Sequence, residues 1–193
     1  DVLDLIVDSN KQTCADTQAE LSLRWQLGEV EKGDRSAVTF KLHDGSTVYY
    51  RSDGSYITKS ENGVISQGKD ANLGDSFDKW VENVQANINT GSLNKNFVTV
   101  NNIKDLQPGD VLTLHPDKSG YGHTIGIKEV IEIPPSSGKK FYRTFAGSDP
   151  AIDARIMPDL MDVAAIEHEI KEGGVIGRFN DKVAPNKKLV ASR

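Results

Sequence analysis

The alternation of apolar and polar residues along the chain predicts strands in two regions and helices in three. Between residues 36 and 68, short alternating runs are separated by Asp-Gly and Asn-Gly pairs, which favour the tight turns of hairpins. This segment predicts an antiparallel meander of three or four strands, inserted between helices. Later runs rich in Val, Ile and aromatic residues predict further strands at 98–100, 110–114, 122–133, 141–146 and 175–179.

Apolar residues at helical spacing predict the three helices. The first covers residues 14–27 and ends at Gly28, although alternating Leu and Trp residues within it also fit a strand. The second covers residues 75–90 and begins with a capping Asp, and Gly91 follows as its stop. The third covers residues 158–172, with a proline in its first turn. Early helices, late strands and an inserted meander predict an α+β class.

Composition narrows the range of functions. The 193 residues suffice for one domain with a sizeable core, so we expect a single domain over 1–193 with the β-hairpin insertion at about 36–68. The 28 acidic residues exceed the 23 basic ones and are scattered, which argues against nucleic-acid binding as the main task. No apolar run is long enough to predict a membrane span. The chain begins at Asp1 without an initiator Met, as expected of a processed mature chain or of a fragment.

Cys14 is the single cysteine of the sequence, and it stands at a predicted helix start. Thr13 followed three residues later by Asp16 is the pattern of a helix N-cap. The positive end of the helix dipole lowers the pKa of a thiol placed there and favours the thiolate. One cysteine excludes an internal disulfide and a thiolate-rich zinc site. Cys14 is therefore either a small buried apolar residue or a nucleophile.

Four histidines are candidate bases for that thiol. His43 adjoins a hairpin turn and His168 lies in a charged helical stretch, so we expect both to be exposed. His115 precedes a proline at the end of a strand. His123 opens a strand directly after a glycine-rich turn, where a substrate can approach the backbone closely. Both a structural and a catalytic role are open for His123 on this pattern.

Two consecutive strand motifs carry a family resemblance. The runs Leu-Gln-Pro-Gly-Asp-Val-Leu at 106–112 and Gly-His-Thr-Ile-Gly-Ile at 122–127 resemble the papain-like cysteine hydrolases of the NlpC and CHAP group. The resemblance implies a papain-like core with an N-terminal helix packed on an antiparallel sheet, plus the inserted β-meander. It also implies Cys14 as the nucleophile and His123 as the base. The third catalytic residue is expected on or after the next strand, where Asp149 is the first candidate and Ser148 the second.

The same resemblance implies an enzymatic function. Members of the group mostly cut peptide links in bacterial cell wall, so we expect hydrolysis of amide bonds in peptidoglycan peptides by Cys–His nucleophilic acyl transfer. A secreted or periplasmic location follows from that substrate, and the chain is otherwise expected to be the effector domain of a larger protein. A toxin-type protease, deamidase or transglutaminase acting on a protein is an open alternative. So is a non-catalytic binding module, whose hairpins would form the recognition surface for a protein partner or inhibitor.

Metal and cofactor motifs add little to this picture. The segment from Asp70 begins like a calcium-binding loop, but Val81 occupies the twelfth position, where such a loop needs Glu. A loop leading into a capped helix explains the segment better. The sequence also lacks a phosphate-binding loop and a dinucleotide-binding fingerprint. We therefore expect no metal and no cofactor.

Overall fold

A computed structural model of the chain describes residues 13–69, 73–114, 123–146 and 155–179. In these residues the chain combines helices with antiparallel sheets, as expected for the α+β class. The helices are α1 (Cys14–Glu31), α2 (Leu73–Gln85), α3 (Thr90–Asn94) and α4 (Val163–Lys171), with a short 3-10 turn at Ile103–Asp105. The strands are β1 (Val38–Lys41), β2 (Thr47–Tyr50), β3 (Ser55–Ser60), β4 (Gly63–Lys69), β5 (Phe97–Thr99), β6 (Val111–Thr113), β7 (Thr124–Glu132), β8 (Lys140–Ala146), β9 (Arg155–Asp162) and β10 (Val175–Phe179).

The described residues form two compact units. One unit combines residues 13–18 with residues 97–179, and the other comprises residues 19–96. The first contains a six-stranded antiparallel sheet in the order β5-β10-β6-β7-β8-β9. The second contains a four-stranded sheet in the order β1-β2-β3-β4, together with most of α1 and with α2 and α3. A single domain with an insertion stays a prediction.

The six-stranded sheet of the first unit has a different environment on each face. One face packs with Ile166 of α4 in an apolar core. The buried members of this core are Leu106, Leu112, Ile125, Ile127, Tyr142, Ala146, Ile166 and Ile176. Successive side chains of a strand point to opposite faces, so Thr124 and Gly126 of β7 face away from α4. That second face meets the N-terminal part of α1, because Gln18 lies against Gly126.

The predicted meander of the second unit is confirmed. Strand β1 pairs with β2 in the register Val38↔Tyr50 to Lys41↔Thr47, and β3 and β4 continue the antiparallel sheet. The turn between β1 and β2 needs Gly45, whose φ of 87° is costly for other residues. The buried Tyr50 ring packs against Phe77 and Trp80 of α2, with ring centroids 5.1 and 5.3 Å away. The sheet is thereby held on the apolar face of α2.

The predicted end of α1 at Gly28 is wrong, since the helix continues to Glu31. Gly28 lies inside the helix with open space where a Cβ would stand. The helix is stopped instead by Gly33, whose φ of 79° is left-handed. The N–H groups of Gly33 and Asp34 both donate to carbonyls of the last turn, which is the Schellman arrangement. A glycine therefore does end α1, but it is the second one available.

The predicted helix over residues 75–90 is wrong at both ends. Helix α2 covers Leu73–Gln85, so the predicted cap Asp75 lies inside it. Asn89 has an extended backbone and caps α3 by accepting the N–H of Ser92, which prevents α2 from continuing. Gly91, the predicted stop, lies within α3. The predicted apolar face is confirmed, and its buried residues are Phe77, Trp80, Val81 and Val84.

The predicted helix over residues 158–172 is wrong in its first part. Strand β9 occupies Arg155–Asp162, and helix α4 begins only at Val163. Pro158 is tolerated in β9 because this strand is at the sheet edge and its pairing with β8 is irregular at that point. The side chain of Asp162 accepts a backbone N–H of the first turn and caps α4.

Candidate active site

The thiol of Cys14 belongs to the first residue of α1, and the predicted cap is confirmed. The N–H and hydroxyl of Thr13 donate to the Asp16 carboxylate at 2.9 Å each, and Asp16 N–H donates to the Thr13 hydroxyl at 3.5 Å. Thr17 N–H donates to Thr13 O at 3.1 Å, which is the first regular helical bond. Helix geometry thus leaves the N–H groups of Cys14 and Ala15 outside the helical ladder, at its positive end.

His123 is the residue directly before β7, and its side chain is half-buried. Its carbonyl accepts the N–H of Leu114 at 2.7 Å, which extends the pairing of β6 with β7 as far as His123. The backbone that carries the imidazole is therefore fixed by the sheet. The side chains of His123 and Cys14 are hydrogen-bonded to each other. The structure thus brings together the two residues predicted as base and nucleophile.

The two side chains shift each other's pKa in opposite directions. Burial raises the pKa of Cys14, but the hydrogen bond with His123, the proximity of Thr124 and the imidazolium charge lower it by more, so the thiol pKa falls below its ordinary value. The hydrogen bond with Cys14 and the thiolate charge raise the pKa of His123, although burial opposes them. A thiolate–imidazolium pair is therefore favoured.

Two contacts one helical turn apart align α1 with β7. Cys14 meets Thr124, and Gln18 lies against Gly126. Four helical residues rise about 6 Å, and two strand residues span about 6.6 Å, so the two spacings match. Gly126 is required there, since a Cβ at this position would stand 2.7 Å from the Gln18 oxygen and would also clash with the Phe145 ring. This glycine lets the nucleophile's helix lie directly on the strand that follows the histidine.

Three buried polar atoms on this face make no regular hydrogen bond within the described residues. They are Nε2 of Gln18, Oγ1 of Thr113 and Oγ1 of Thr124. Thr113 and Thr124 stand opposite each other in the pairing of β6 with β7. Buried polar groups are normally satisfied, so such a cluster calls for an explanation. In the sequence, Gln18 follows Cys14 by about one helical turn, whereas no local pattern singles out either threonine.

The other predicted site residues are placed as follows. His43 and His168 are exposed, as expected. His43 Nδ1 stands 2.8 Å from the carbonyl oxygen of Asn87. His115 lies outside the described residues. So do Asp149 and Ser148, the two candidates for the third catalytic residue, and both remain predictions.

The Pro-Gly-Asp motif has a structural role. Asp110 follows a turn made by Gly109 at φ 93°, and its carboxylate is fully buried. Arg178 of β10 binds it at two points, with distances of 2.6 and 2.8 Å. The same carboxylate accepts the N–H of Gln107 at 2.9 Å, and Arg178 also donates to the carbonyl of Asp105 at 2.9 Å. Asp110 therefore ties the turn before β6 to β10.

Neither a metal site nor a known relative adds to this geometry. In the part of the chain that the structure describes, no three His, Cys, Asp or Glu side chains are grouped to hold a metal ion. Over the same residues, no helix has the length and apolar character needed to cross a membrane. No protein-family model matches the chain, and no curated protein or solved structure matches it either. The candidate site therefore rests on its own contacts.

Proposed function

We propose that this protein is a thiol-dependent hydrolase of amide bonds, with Cys14 as the nucleophile and His123 as the general base and acid. The observation that carries the proposal is the hydrogen-bonded contact of the two side chains, in which the pKa of Cys14 is lowered and that of His123 is raised. A thiol with a lowered pKa beside an imidazole is typical of activated cysteine nucleophiles. A helix start on an antiparallel sheet is compatible with the papain-like core of the NlpC and CHAP group.

Acylation would proceed by attack on the substrate carbonyl. Sγ of Cys14 forms a bond to the carbonyl carbon, and an electron pair moves onto the oxygen. The N–H groups of Cys14 and Ala15, at the positive end of α1, are placed to donate to that oxyanion. The imidazolium of His123 gives its proton to the leaving nitrogen as the C–N bond breaks. An amine departs, and a thioester on Cys14 remains.

Deacylation reverses the role of the histidine. The imidazole of His123, now neutral, takes a proton from a water molecule, whose oxygen attacks the thioester carbonyl. The same N–H groups stabilise the second oxyanion, and loss of one such donor typically lowers the rate about a hundredfold or more. Collapse of the intermediate breaks the C–S bond and releases a carboxylic acid. The sulfur leaves as the thiolate, which restores the starting pair.

A third residue would hold the imidazole in the productive tautomer. Asp149 is the first candidate and Ser148 the second, both from the segment after β8. A carboxylate in this role stabilises the imidazolium that forms during the reaction, whereas a hydroxyl only orients the ring. Asp149→Asn would therefore lower kcat strongly if Asp149 fills the role, and Ser148→Ala would leave it near the wild-type value. The reverse result would assign the role to Ser148.

Peptidoglycan peptides are the leading substrate class, and this choice rests on the resemblance of the two strand motifs to the cell-wall hydrolases. The same Cys–His chemistry also deamidates glutamine when water is the acceptor and crosslinks proteins when an amine is the acceptor. A toxin-type role on a protein substrate is therefore the neighbouring possibility. Only the identity of the products separates the two.

Digestion of purified peptidoglycan would test the proposal. Wild type, Cys14→Ala and His123→Ala are incubated with the polymer, and the soluble fragments are identified by mass spectrometry. We expect new amine and carboxylate ends with wild type but not with Cys14→Ala or His123→Ala. The control variant His168→Ala, altered at an exposed histidine, should keep the activity. Products from protein substrates alone would favour the toxin-type role. The hydrolase proposal is wrong if neither substrate gives products and the Cys14 thiol alkylates no faster than a peptide thiol.

A binding role for the second unit is the other candidate function. A cavity of about 390 Å³ lies between the meander and α2. Its lining combines apolar side chains such as Val48 and Trp80 with the amides of Asn83 and Asn87. A concave, mixed surface of this kind suits a small polar ligand. If Cys14→Ala binds peptidoglycan fragments as well as wild type does, and wild type releases no products, a binding function replaces the proposed hydrolase function.

A further inference from the structure

The backbone around Thr124 leaves one of its N–H groups directed at the nucleophile. Leu114 N–H donates to His123 O, so these two residues form a hydrogen-bonded pair of the antiparallel ladder. The next pair, Thr113 with Thr124, is therefore a non-hydrogen-bonded pair, and the Thr124 N–H points away from β6. On that side it reaches the sulfur of Cys14. The sheet thus presents a fixed donor to the thiol.

The hydroxyl of Thr124 also lies near the sulfur of Cys14. The residue is fully buried, and its Oγ1 makes no regular hydrogen bond within the described residues. Thr124 lies on the same face of β7 as Gly126, so its side chain points toward α1. The residue stands close enough to the sulfur to affect the titration of Cys14. A hydroxyl rotates freely and donates best to a charged acceptor. A thiolate supplies that acceptor, whereas the neutral thiol does not.

We propose that Thr124 is a positioning residue for the nucleophile, whose hydroxyl and backbone N–H both donate to the sulfur of Cys14 when that sulfur is a thiolate. The inference rests on the proposed hydrolase function and deepens it. The thiolate is then held from two directions, by His123 on one side and by Thr124 on the other. Asp16 is the nearby acid on α1, and it is already bonded to Thr13. The unpartnered hydroxyl is explained as a group kept ready for the charged state.

The pH profile of thiol alkylation tests the role without any substrate. Iodoacetamide rates at Cys14 are measured across pH for wild type, Thr124→Val, Thr124→Ser and Thr113→Val. Removing one hydrogen bond to a thiolate in Thr124→Val is expected to raise the midpoint by about one pH unit, which slows alkylation about tenfold below the midpoint. Thr124→Ser keeps the hydroxyl and is expected to keep the wild-type midpoint.

Thr113→Val is the matched control. It removes the same group from the opposite residue of the same pair, and Thr113 does not contribute to the shifted pKa of Cys14. We expect it to leave the midpoint unchanged, while thermal unfolding shows whether either valine alters stability. If Thr124→Val does not fold, Thr124→Ala compared with Thr124→Ser gives the same test.

The outcomes separate this inference from the function on which it rests. An unshifted midpoint in Thr124→Val, with a wild-type thiol more reactive than a peptide thiol, overturns the role of Thr124 and leaves the hydrolase proposal standing. Equal shifts in Thr124→Val and Thr113→Val also overturn it, because they indicate a general effect of burial. A wild-type thiol that reacts like a free peptide cysteine overturns both proposals.

Discussion

At the residue scale, Cys14 is both buried and lowered in pKa, two properties that are seldom found together in a thiol. It is 7% exposed, and burial by itself raises the pKa of a thiol and makes it inert. Its neighbours supply the opposite effect, because the hydrogen bond with His123 and the proximity of Thr124 lower that pKa. The choice between a structural thiol and a nucleophile therefore depends on what surrounds the sulfur, and here the surroundings favour the thiolate.

The reactivity of Cys14 should follow a pH profile set by the pair. The thiolate persists below the ordinary cysteine pKa because the pKa of Cys14 is lowered, and hydrolysis falls at high pH once His123 loses its proton above its raised pKa. We expect His123→Ala to raise the midpoint of iodoacetamide alkylation, since it removes a hydrogen bond and a charge. His168→Ala should leave it unchanged. Equal midpoints in wild type and His123→Ala would contradict the pairing.

At the element scale, glycines decide where α1 ends and how closely it approaches the sheet. Gly28, Gly33 and Gly126 look alike in the sequence but have three different environments. Gly28 is an ordinary helical residue, Gly33 adopts a left-handed backbone, and Gly126 lies against Gln18 of α1 and the Phe145 ring. Substitution by alanine should therefore give three different results.

The pair Gly33→Ala and Gly28→Ala tests the helix end. Alanine at Gly33 must adopt a positive φ of 79°, so we expect the free energy of unfolding to fall by about 1–2 kcal/mol. Alanine at Gly28 enters a helix interior with open space and should raise it by about 0.5–1 kcal/mol. Urea unfolding of both variants measures the difference. Two changes of the same sign would disprove this account of the helix end.

Gly126→Ala tests the close approach of α1 to β7. The added methyl group would press on the Gln18 oxygen and on the Phe145 ring, so one or both side chains would have to move. We expect a loss of about 1–3 kcal/mol in the free energy of unfolding, as for other overpacked cores. The alkylation rate of Cys14 should fall as well, because displacement of α1 separates the sulfur from its partners. Unchanged stability and unchanged alkylation would show that the helix does not rest on this residue.

At the scale of the whole molecule, each of the two units has its own sheet and its own stabilising contacts. In the unit that carries the site, the buried Asp110 holds the turn before β6 to Arg178 of β10. The strand next to β6 is β7, which places His123. The Pro-Gly-Asp turn therefore fixes the strand order beside β7, the strand that His123 precedes.

Asp110→Ala tests that structural role. It leaves the Gln107 N–H without its acceptor and the Arg178 guanidinium without its carboxylate partner, so we expect the free energy of unfolding to fall by about 3 kcal/mol. Asp159→Ala, an exposed aspartate of β9, is the control and should change it by less than about 0.5 kcal/mol. Thermal or urea unfolding supplies the comparison. Equal effects of the two substitutions would mean that the Asp110 pairing contributes little.

The sequence by itself determined the features that depend on a few neighbouring residues. The hairpin turn at Asp44 and Gly45, the cap formed by Thr13 and Asp16 and the apolar face of α2 were all predicted, because turn geometry, capping and helical spacing act within a few positions. Only the tertiary structure decided which glycine ends α1 and that Pro158 lies in an edge strand. It also decided that Thr124 faces the thiol and that Asp110 binds Arg178. The contacts of Thr124 and Asp110 join residues far apart in the chain, and local spacing carries no information about them.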